Sequence, residues 1–512
     1  MMKLWCWKLG LLGLCALMTG WLVRYEAYPG LFADTFVGYP SMFRGGALLS
    51  DRYTKVLFEG KPIGYSHSRM DSQDGDDGGA YRIENSTLLQ MKVLGSTQTV
   101  RVHMQARLDT THRLQSFSFT MRSSQYQAKI AGTRRNGDEF EVEVDTGATR
   151  STTMVGIPKD VILYSPMTDL AMSRLEPGQE MRIRTLDPVS MTRIDVVCTA
   201  LGYETIRLGG EDREALALEM AYKGMVVKSW LDEDGLVLRQ KTPLGWTMES
   251  ATAAEIENLV LDAEGAGDLA LASVVPCRGN IDRPREVNQL TLRLRGLHLD
   301  PEQLRTARQD IQIVSDSEVD VVLRHVPLPS SSPMLGDVPL ELQAYLRPTG
   351  FVQSDHPEIR AQAQRVVGEN RDMLSAARAL CDWVDVTVIN EATASLPSAL
   401  DVLHQKVGDC NEHTYLFVGL ARSIGLPAKI RIGVVYIDDE RGKGFFYHAW
   451  PAVHLGDAWY DMDPTLEQEE ADATHIALLE GELEKQMQLL QVMGQLDAEV
   501  LDQVYEKRVS DD

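Results

Sequence analysis

Alternation of apolar and polar residues over nearly 200 positions is the feature that most constrains how this chain folds. The segments TVRVHMQARL, QYQAKIAGT and EFEVEVDT all follow this period of two. Such a period places successive side chains on opposite faces of a strand and is typical of antiparallel sheets with one solvated face. In KSWLDEDGLVLRQKT, two alternating arms flank residues 232–235, which predicts a hairpin turn. We therefore predict an antiparallel β-rich domain over residues 50–252.

The alternating region resembles the curled-sheet domains of bacterial envelope proteins in its strand order and its Trp-Leu-Asp-x-Asp-Gly hairpin. A Gly- and Ala-rich run near residues 261–273 marks its end. A smaller β-rich domain or linker is predicted over residues 268–347, where QLTLRLRGL places Leu290, Leu292 and Leu294 on one face.

The N-terminus carries a long apolar run, from Leu4 to Val23, that is broken only by Lys8. Residues 1–24 are therefore predicted to be a transmembrane anchor or a signal sequence. No small-x-small cleavage site follows, and tryptophans lie near both ends, which favours an uncleaved single-pass anchor. The positive charges before the run place the rest of the chain on the periplasmic side.

Charge and cysteine content exclude two classes of protein. The formal net charge of −23 over 512 residues disfavours binding to nucleic acid, whose phosphates would be repelled. Six cysteines do not make a disulfide framework in a chain of this length. Cys198 and Cys277 could pair outside the cytoplasm, but the sequence does not place them near each other.

After residue 351 the apolar period becomes helical. SDHPEIRAQAQRVV predicts a helix with Asp355 as N-cap and Pro357 in its first turn. Cys381 falls on the apolar face of the next helix and is predicted to be a core residue. The tail over residues 481–512 is predicted to be an amphipathic helix that packs on the domain or mediates association.

Cys410 opens the stretch GDCNEHTYLFVGLARSIGLPAKI, whose apolar residues follow a helical spacing until Gly425. The cysteine is therefore predicted at a helix N-terminus, where free amides and the helix dipole favour thiolate over thiol. Alone, such a cysteine is more often a buried core residue than a nucleophile.

A thiol nucleophile needs a base, and the base needs a residue that orients it. The strand GFFYHAWPAVHL carries His448, and the next strand carries Asp461 and Asp463 on one face. Adjacent antiparallel elements would bring Cys410, a histidine and an aspartate to one point. Both aspartates remain candidates on strand geometry.

These motifs closely resemble the transglutaminase-like superfamily: Gly-Asp-Cys at a helix start, His-x-Trp on a strand and Trp-x-x-x-Asp-Pro on the next. The resemblance covers roughly residues 355–480. It implies a papain-like core over residues 351–480 and an α+β fold class for the chain. It also implies Cys410 as nucleophile, His448 as base and Asp463, the aspartate before proline, as orienting residue.

The neighbouring polar residues have other interpretations. His413 is interpreted as a supporting or packing residue, His454 as exposed or structural, and Glu412 as a solvated carboxylate of the first helical turn. Cys410, His413, His448 and Asp463 could form a zinc site, but no paired metal-ligand motif supports one. No cofactor is predicted, since the chain has neither a phosphate-cradling glycine loop nor a nucleophile-elbow serine.

Two functions follow from the sequence. The first is thiol-dependent acyl transfer on a protein or peptide substrate, either as peptidase or amidase or as transamidase. The second is a non-catalytic envelope protein that uses the transglutaminase-like core as a scaffold for binding or assembly.

Overall fold

The computed structural model describes residues 34–35, 38–39, 50–72, 81–163, 175–222, 225–297, 299–336, 338–396, 398–439, 442–489 and 492–505. The predicted anchor or signal sequence at residues 1–24 lies outside these ranges. Among the helices within them, none has the length and apolarity needed to cross a membrane.

One large sheet occupies the first half of the chain. It is antiparallel except for β1 and β10, which both run parallel to β11. Its hydrogen-bonded order is β1-β11-β12-β13-β14-β15-β16-β2-β3-β4-β5-β6-β7-β8-β9, with β10 also on β11. The strands are β1 Asp34–Thr35, β2 Ser50–Phe58, β3 Lys61–Ser72, β4 Tyr81–Val93, β5 Ser96–Leu108, β6 Leu114–Arg122, β7 Gln127–Asn136, β8 Glu139–Asp145, β9 Arg150–Gly156, β10 Val161–Leu163, β11 Glu180–Leu186, β12 Arg193–Leu208, β13 Glu211–Tyr222, β14 Met225–Leu231, β15 Val237–Lys241 and β16 Trp246–Ala251.

The alternating residues of this sheet form its core, as their period predicts. On β8, Phe140 and Val142 are fully buried, whereas Glu139 is exposed and Glu141 only partly buried. The predicted hairpin at residues 232–235 is confirmed: it joins β14 to β15, and Gly235 takes a φ of +76°, which suits glycine.

A second, smaller sheet follows two short helices, α1 Ala253–Glu257 and α2 Leu269–Ala272. Its strands are β17 Cys277–Arg278, β18 Val287–Arg295, β19 Gln309–Ser315 and β20 Glu318–Arg324. Short 3₁₀ turns occur at Pro284–Glu286, Pro301–Leu304 and Leu340–Leu346. The predicted apolar face of β18 is confirmed, since Leu290, Leu292 and Leu294 are at most 1% exposed.

The C-terminal part combines helices with a four-stranded sheet of order β25-β24-β23-β26. Helix α6 lies at the centre of this C-terminal part, where it packs against three other helices and against the sheet. The elements are α3 Pro357–Val367, α4 Met373–Thr387, β21 Ile389–Asn390, α5 Ala399–Gln405, β22 Val407–Gly408, α6 Cys410–Ser423, β23 Ala428–Asp439, β24 Gly442–His454, β25 Trp459–Asp461, β26 Ile476–Glu480 and α7 Leu483–Leu489.

The tail corrects the sequence-based prediction. Within the described residues of this tail, the predicted helix is limited to α7, and Asp497–Tyr505 is a strand, β27, that joins the small sheet between β17 and β18. Tertiary pairing overrides the helical periodicity of these residues. Strand β18 has an open edge with which β27 pairs, and Ala498 becomes fully buried there.

Two further predictions are settled in this region. The N-cap of α3 is His356 rather than Asp355: its Nδ1 accepts the Glu358 N–H at 3.3 Å, with Pro357 in the first turn as predicted. Cys381 is a core residue, as predicted, at 2% exposure. The cysteines considered for pairing, Cys198 and Cys277, are both free and lie in different sheets.

The large sheet is joined to the C-terminal part by hydrogen bonds close to the start of α6. The Tyr126 hydroxyl donates to the Val407 carbonyl at 2.6 Å, and Gln98 Nε2 donates to the Ala392 carbonyl at 2.9 Å. Val407 lies three residues before Cys410, so a hairpin of the large sheet holds the segment that leads to this cysteine.

Candidate active site

Cys410 is the first residue of α6, as its sequence context predicts. The Asp409 carboxylate caps the helix by accepting the Asn411 N–H at 2.9 Å. The helix lies against β24: Thr414 Oγ1 donates to the Ala449 carbonyl at 3.1 Å, and the Ala449 N–H is close enough to the Cys410 thiol to lower its pKa. The thiol is therefore next to the strand residue that follows His448.

Glu412 is buried, which corrects the prediction of a solvated carboxylate. It completes a capping box by accepting the Asp409 N–H at 2.8 Å, and it also accepts from the Ser395 hydroxyl. Burial raises the pKa of Glu412, and the neighbouring Asp409 adds to this rise. The side chain fits because Gly408, beside it, has no Cβ.

Gly408→Ala is expected to destabilise the chain by about 1–3 kcal/mol, because overpacking a filled site forces neighbours to move. The new Cβ would lie 2.2 Å from Glu412 Cβ. Urea unfolding measures the change. Gly156→Ala is the control, because its nearest neighbour would be an arginine nitrogen 3.7 Å away. Equal stabilities for the two variants would contradict the crowding argument.

His448 and Asp463 form a buried hydrogen-bonded pair, with His448 Nε2 2.7 Å from Asp463 Oδ2. Asp463 Oδ1 accepts the backbone N–H groups of Thr465 and Leu466 at 2.9 and 3.3 Å. Burial alone would raise the pKa of Asp463, but the charge and hydrogen bonds of His448 and His475 hold it below its usual range. An ionised Asp463 only accepts, so His448 Nε2 donates and its Nδ1 is left as acceptor.

Sequence reasoning missed His475, which is also bonded to Asp463. Its Nε2 lies 3.0 Å from Asp463 Oδ2, and its Nδ1 lies 3.4 Å from Asp472 Oδ1. Burial alone would lower the pKa of His475, but the Asp472 and Asp463 carboxylates outweigh it and raise the pKa. Its sequence context, DATHIALLE, contains no motif, so only the tertiary structure brings it to the site.

His475→Gln is expected to cost more stability at pH 6 than at pH 9. A histidine whose folded-state pKa is raised contributes stability below its unfolded pKa of about 6.5, and this is lost as pH rises through the folded value. Urea unfolding of the parent and the variant at both pH values gives the difference. The same cost at both would show that His475 is not charged in the folded protein.

Asp461, the other candidate on strand geometry, pairs with arginines rather than with His448. It lies 3.6 Å from both Arg308 Nη1 and Arg431 Nε, and it accepts from Trp450 Nε1 at 3.2 Å. All three charged side chains are buried. The structure thus pairs His448 with Asp463, and it pairs Asp461 with the two arginines.

The pKa of the Cys410 thiol departs from expectation. Burial raises it well above its usual value, Asp409 adds to the rise, and the Ala449 N–H opposes it. The lowered pKa expected from the helix N-terminus is therefore wrong for this site at rest. Because the thiol is favoured, forming the nucleophile requires a base that takes its proton during attack.

The two other histidines fit their sequence-based interpretations. His413 is buried, with Nδ1 2.7 Å from the Asp409 carbonyl and Nε2 3.2 Å from the Val388 carbonyl, so it ties the start of α6 to the end of α4. His454 is half-buried, and its Nδ1 accepts the Gly456 N–H at 3.2 Å.

The site contains one metal-compatible group within the described ranges. The ligand atoms of His448, Asp463 and His475 lie within 4.8 Å of one another. This set differs from the zinc set considered from sequence, because neither Cys410 nor His413 belongs to it. Hydrogen bonds already join its facing nitrogen and oxygen atoms.

The site thus has a cysteine at a helix start, packed on a strand that carries a histidine paired with an aspartate. Residues 360–464 match the family model of the transglutaminase-like superfamily. The chain therefore contains a transglutaminase-like domain, and the resemblance drawn from its motifs is confirmed. No curated protein sequence matches the chain significantly.

Several solved structures are similar to parts of the chain. A candidate cysteine protease from Cytophaga hutchinsonii is 16% identical, with 44% of this chain and 89% of that chain covered and a TM-score of 0.30. The periplasmic domain of TgpA from Pseudomonas aeruginosa, bound to ethylmercury, is 14% identical, with 35% and 91% covered and a TM-score of 0.22.

Proposed function

We propose that this protein catalyses thiol-dependent acyl transfer on peptide or protein amides, with Cys410 as nucleophile, His448 as base and Asp463 as orienting residue. The observation that carries the proposal is the 2.7 Å bond between His448 Nε2 and Asp463. It leaves His448 Nδ1 as a proton acceptor on the strand that contacts the thiol. The match to the transglutaminase-like superfamily supports the same assignment.

In the first step, Cys410 Sγ attacks the amide carbonyl carbon while the thiol proton moves to His448 Nδ1. The capping box already uses the Asp409, Asn411 and Glu412 N–H groups, so the Cys410 backbone N–H is the amide at the start of α6 that stabilises the oxyanion forming on the carbonyl oxygen. Asp463 stabilises the resulting imidazolium. The C–N bond then breaks, His448 returns the proton to the leaving amine, and a thioester remains on Cys410.

The thioester is resolved by a second nucleophile, whose proton His448 removes. Water gives a carboxylic acid, whereas a primary amine gives a new amide, and both restore the thiol. We favour hydrolysis, because water outnumbers any amine at an extracytoplasmic site and a transamidase must exclude it. The periplasmic location, the membrane anchor at residues 1–24 and the peptide or protein substrate belong to the same proposal.

The test is the rate at which iodoacetamide alkylates Cys410 at pH 7, followed by mass spectrometry of the chain from residue 25 onward. His448→Ala is expected to slow alkylation about 100-fold, the scale of general-base assistance. His454→Ala is the matched control and should leave the rate unchanged. An unchanged rate in His448→Ala would overturn the Cys-His assignment.

The second candidate function is a non-catalytic envelope protein that binds partners through this scaffold. The raised pKa of the Cys410 thiol is the observation that favours it. A screen with fluorogenic peptide amides, with and without a fluorescent primary amine, separates the two functions. Release of the fluorogenic group indicates hydrolysis, amine incorporation indicates transamidation, and neither product supports the scaffold.

A further inference from the structure

A basic hollow lies on one face of the large sheet, away from Cys410. Strands β3 to β6 place Tyr65, Leu88, Arg101 and Arg122 directly opposite one another across the sheet. These residues line a hollow of about 500 Å³. In the next row, Ser86, His103 and Thr120 are opposite one another in the same way; all three line the hollow and present polar groups.

The hollow contains two arginines on adjacent strands. Arg101 and Arg122 oppose each other, and neither forms an ion pair within the part of the chain that the structure describes. By contrast, Arg69 on β3 and Arg113, which directly precedes β6, pair with carboxylates at 2.7 and 3.2 Å. Like charges directly opposite in a sheet are destabilising, so this pair costs stability without an internal counter-ion.

The hollow has the opposite charge to the chain as a whole. No carboxylate is among its lining residues, whereas the formal net charge of the protein is −23. His103 adds a further donor, with its Nδ1 2.9 Å from the Ser86 hydroxyl. The ligand that this chemistry recognises carries oxyanions beside apolar atoms, because arginine binds carboxylates in a two-pronged way and Tyr65 and Leu88 offer apolar contact.

The hollow shares one lining residue, Arg122, with a second hollow. This second hollow of about 400 Å³ is closed on its other side by Asp401 and His404 of α5. Tyr126, in the wall of this second hollow, is the residue whose hydroxyl holds the Val407 carbonyl at 2.6 Å. The two hollows thus adjoin at Arg122, and the second one includes a residue bonded to the segment that precedes Cys410.

We propose that the face containing Arg101 and Arg122 binds an acidic peptide segment and so selects the substrate of the transglutaminase-like domain. The peptide is favoured over a small anion by the size of the hollow, by its rows of polar groups and by the second hollow that adjoins it at Arg122. The link to the substrate rests on the proposed function, whereas the binding of an acidic peptide does not.

The experiment measures binding of fluorescein-labelled hexaglutamate by fluorescence anisotropy at physiological salt. It uses the full chain with Cys410→Ser, so that no turnover occurs. The double variant Arg101→Gln/Arg122→Gln is expected to weaken binding at least tenfold. Arg207→Gln/Arg213→Gln is the matched control, since it removes the same charge from the same sheet at arginines that already pair with carboxylates; its affinity should be unchanged.

Three results would overturn the proposal. These are the absence of hexaglutamate binding, equal weakening in both double variants, and binding of inorganic tripolyphosphate at the arginines without binding of hexaglutamate. Alkylation of Cys410 in the arginine variant, with its native cysteine, should proceed at the parent rate, so loss of peptide binding and failure of the Cys-His assignment are separable.

Discussion

Replacing Cys410 with alanine is expected to reduce any amide hydrolysis or amine incorporation found in the fluorogenic screen by about 10⁴-fold or more. Loss of the nucleophile in a catalytic triad removes the covalent route and leaves only oxyanion stabilisation and binding. The fold should survive, because Cys410 begins the helix and its cap is made by Asp409. Initial rates at saturating substrate measure the effect, and the circular dichroism spectrum checks the fold.

The control for this prediction is Cys277→Ser. Cys277 is a free, half-buried cysteine in the small sheet, so it matches Cys410 as a thiol but lies outside the candidate site. Its replacement should leave turnover within about twofold of the parent, as is usual for changes away from a site. Turnover that persists in Cys410→Ala would show that another group performs the chemistry.

Asp461→Ala is expected to destabilise the protein by about 3–5 kcal/mol, the cost of removing one partner from a buried charge cluster. Two arginines would lose their shared carboxylate, and both are at most 8% exposed at the side chain. Arg308 should be affected more strongly, because burial lowers the pKa of its guanidinium group while the charge of Asp461 raises it. Urea unfolding with linear extrapolation gives the change.

The matched control is Asp71→Ala. Asp71 also pairs with an arginine, Arg69, at 2.7 Å, but both side chains are exposed by a third or more. Exposed ion pairs contribute between zero and about 1 kcal/mol, so a small change is expected. If Asp461→Ala cost no more than Asp71→Ala, the buried cluster would not stabilise the domain.

The period of two was enough to predict the large sheet. Alternation along a single strand shows which side chains point to each face, and no other part of the chain is needed to see it. The same local logic predicted the helix that begins at Cys410, since its cap, its apolar spacing and its glycine stop lie within a few residues. It failed in the tail, where β27 forms because a distant strand, β18, offers an edge.

The candidate site, too, could be predicted from local sequence only in part. Motif spacing pointed to Cys410, His448 and Asp463, and it also predicted two aspartates on one strand face. Arg308, far away in the sequence, pairs with Asp461, so only tertiary contacts show why Asp461 is held apart from His448. Local spacing also could not reveal that Glu412 is buried, because that depends on Ser395 and on the packing around Gly408.

The sequence by itself determined the β-rich class, the transglutaminase-like domain and the helix start that carries the cysteine, because each follows from residues close together in the chain. Only the tertiary structure decided the surroundings of the charged groups: His475 bonds Asp463, two arginines pair with Asp461, and Arg101 and Arg122 face each other with no ion pair in the described part of the chain. Burial and charge pairing depend on what folds against a residue, and those neighbours come from distant segments.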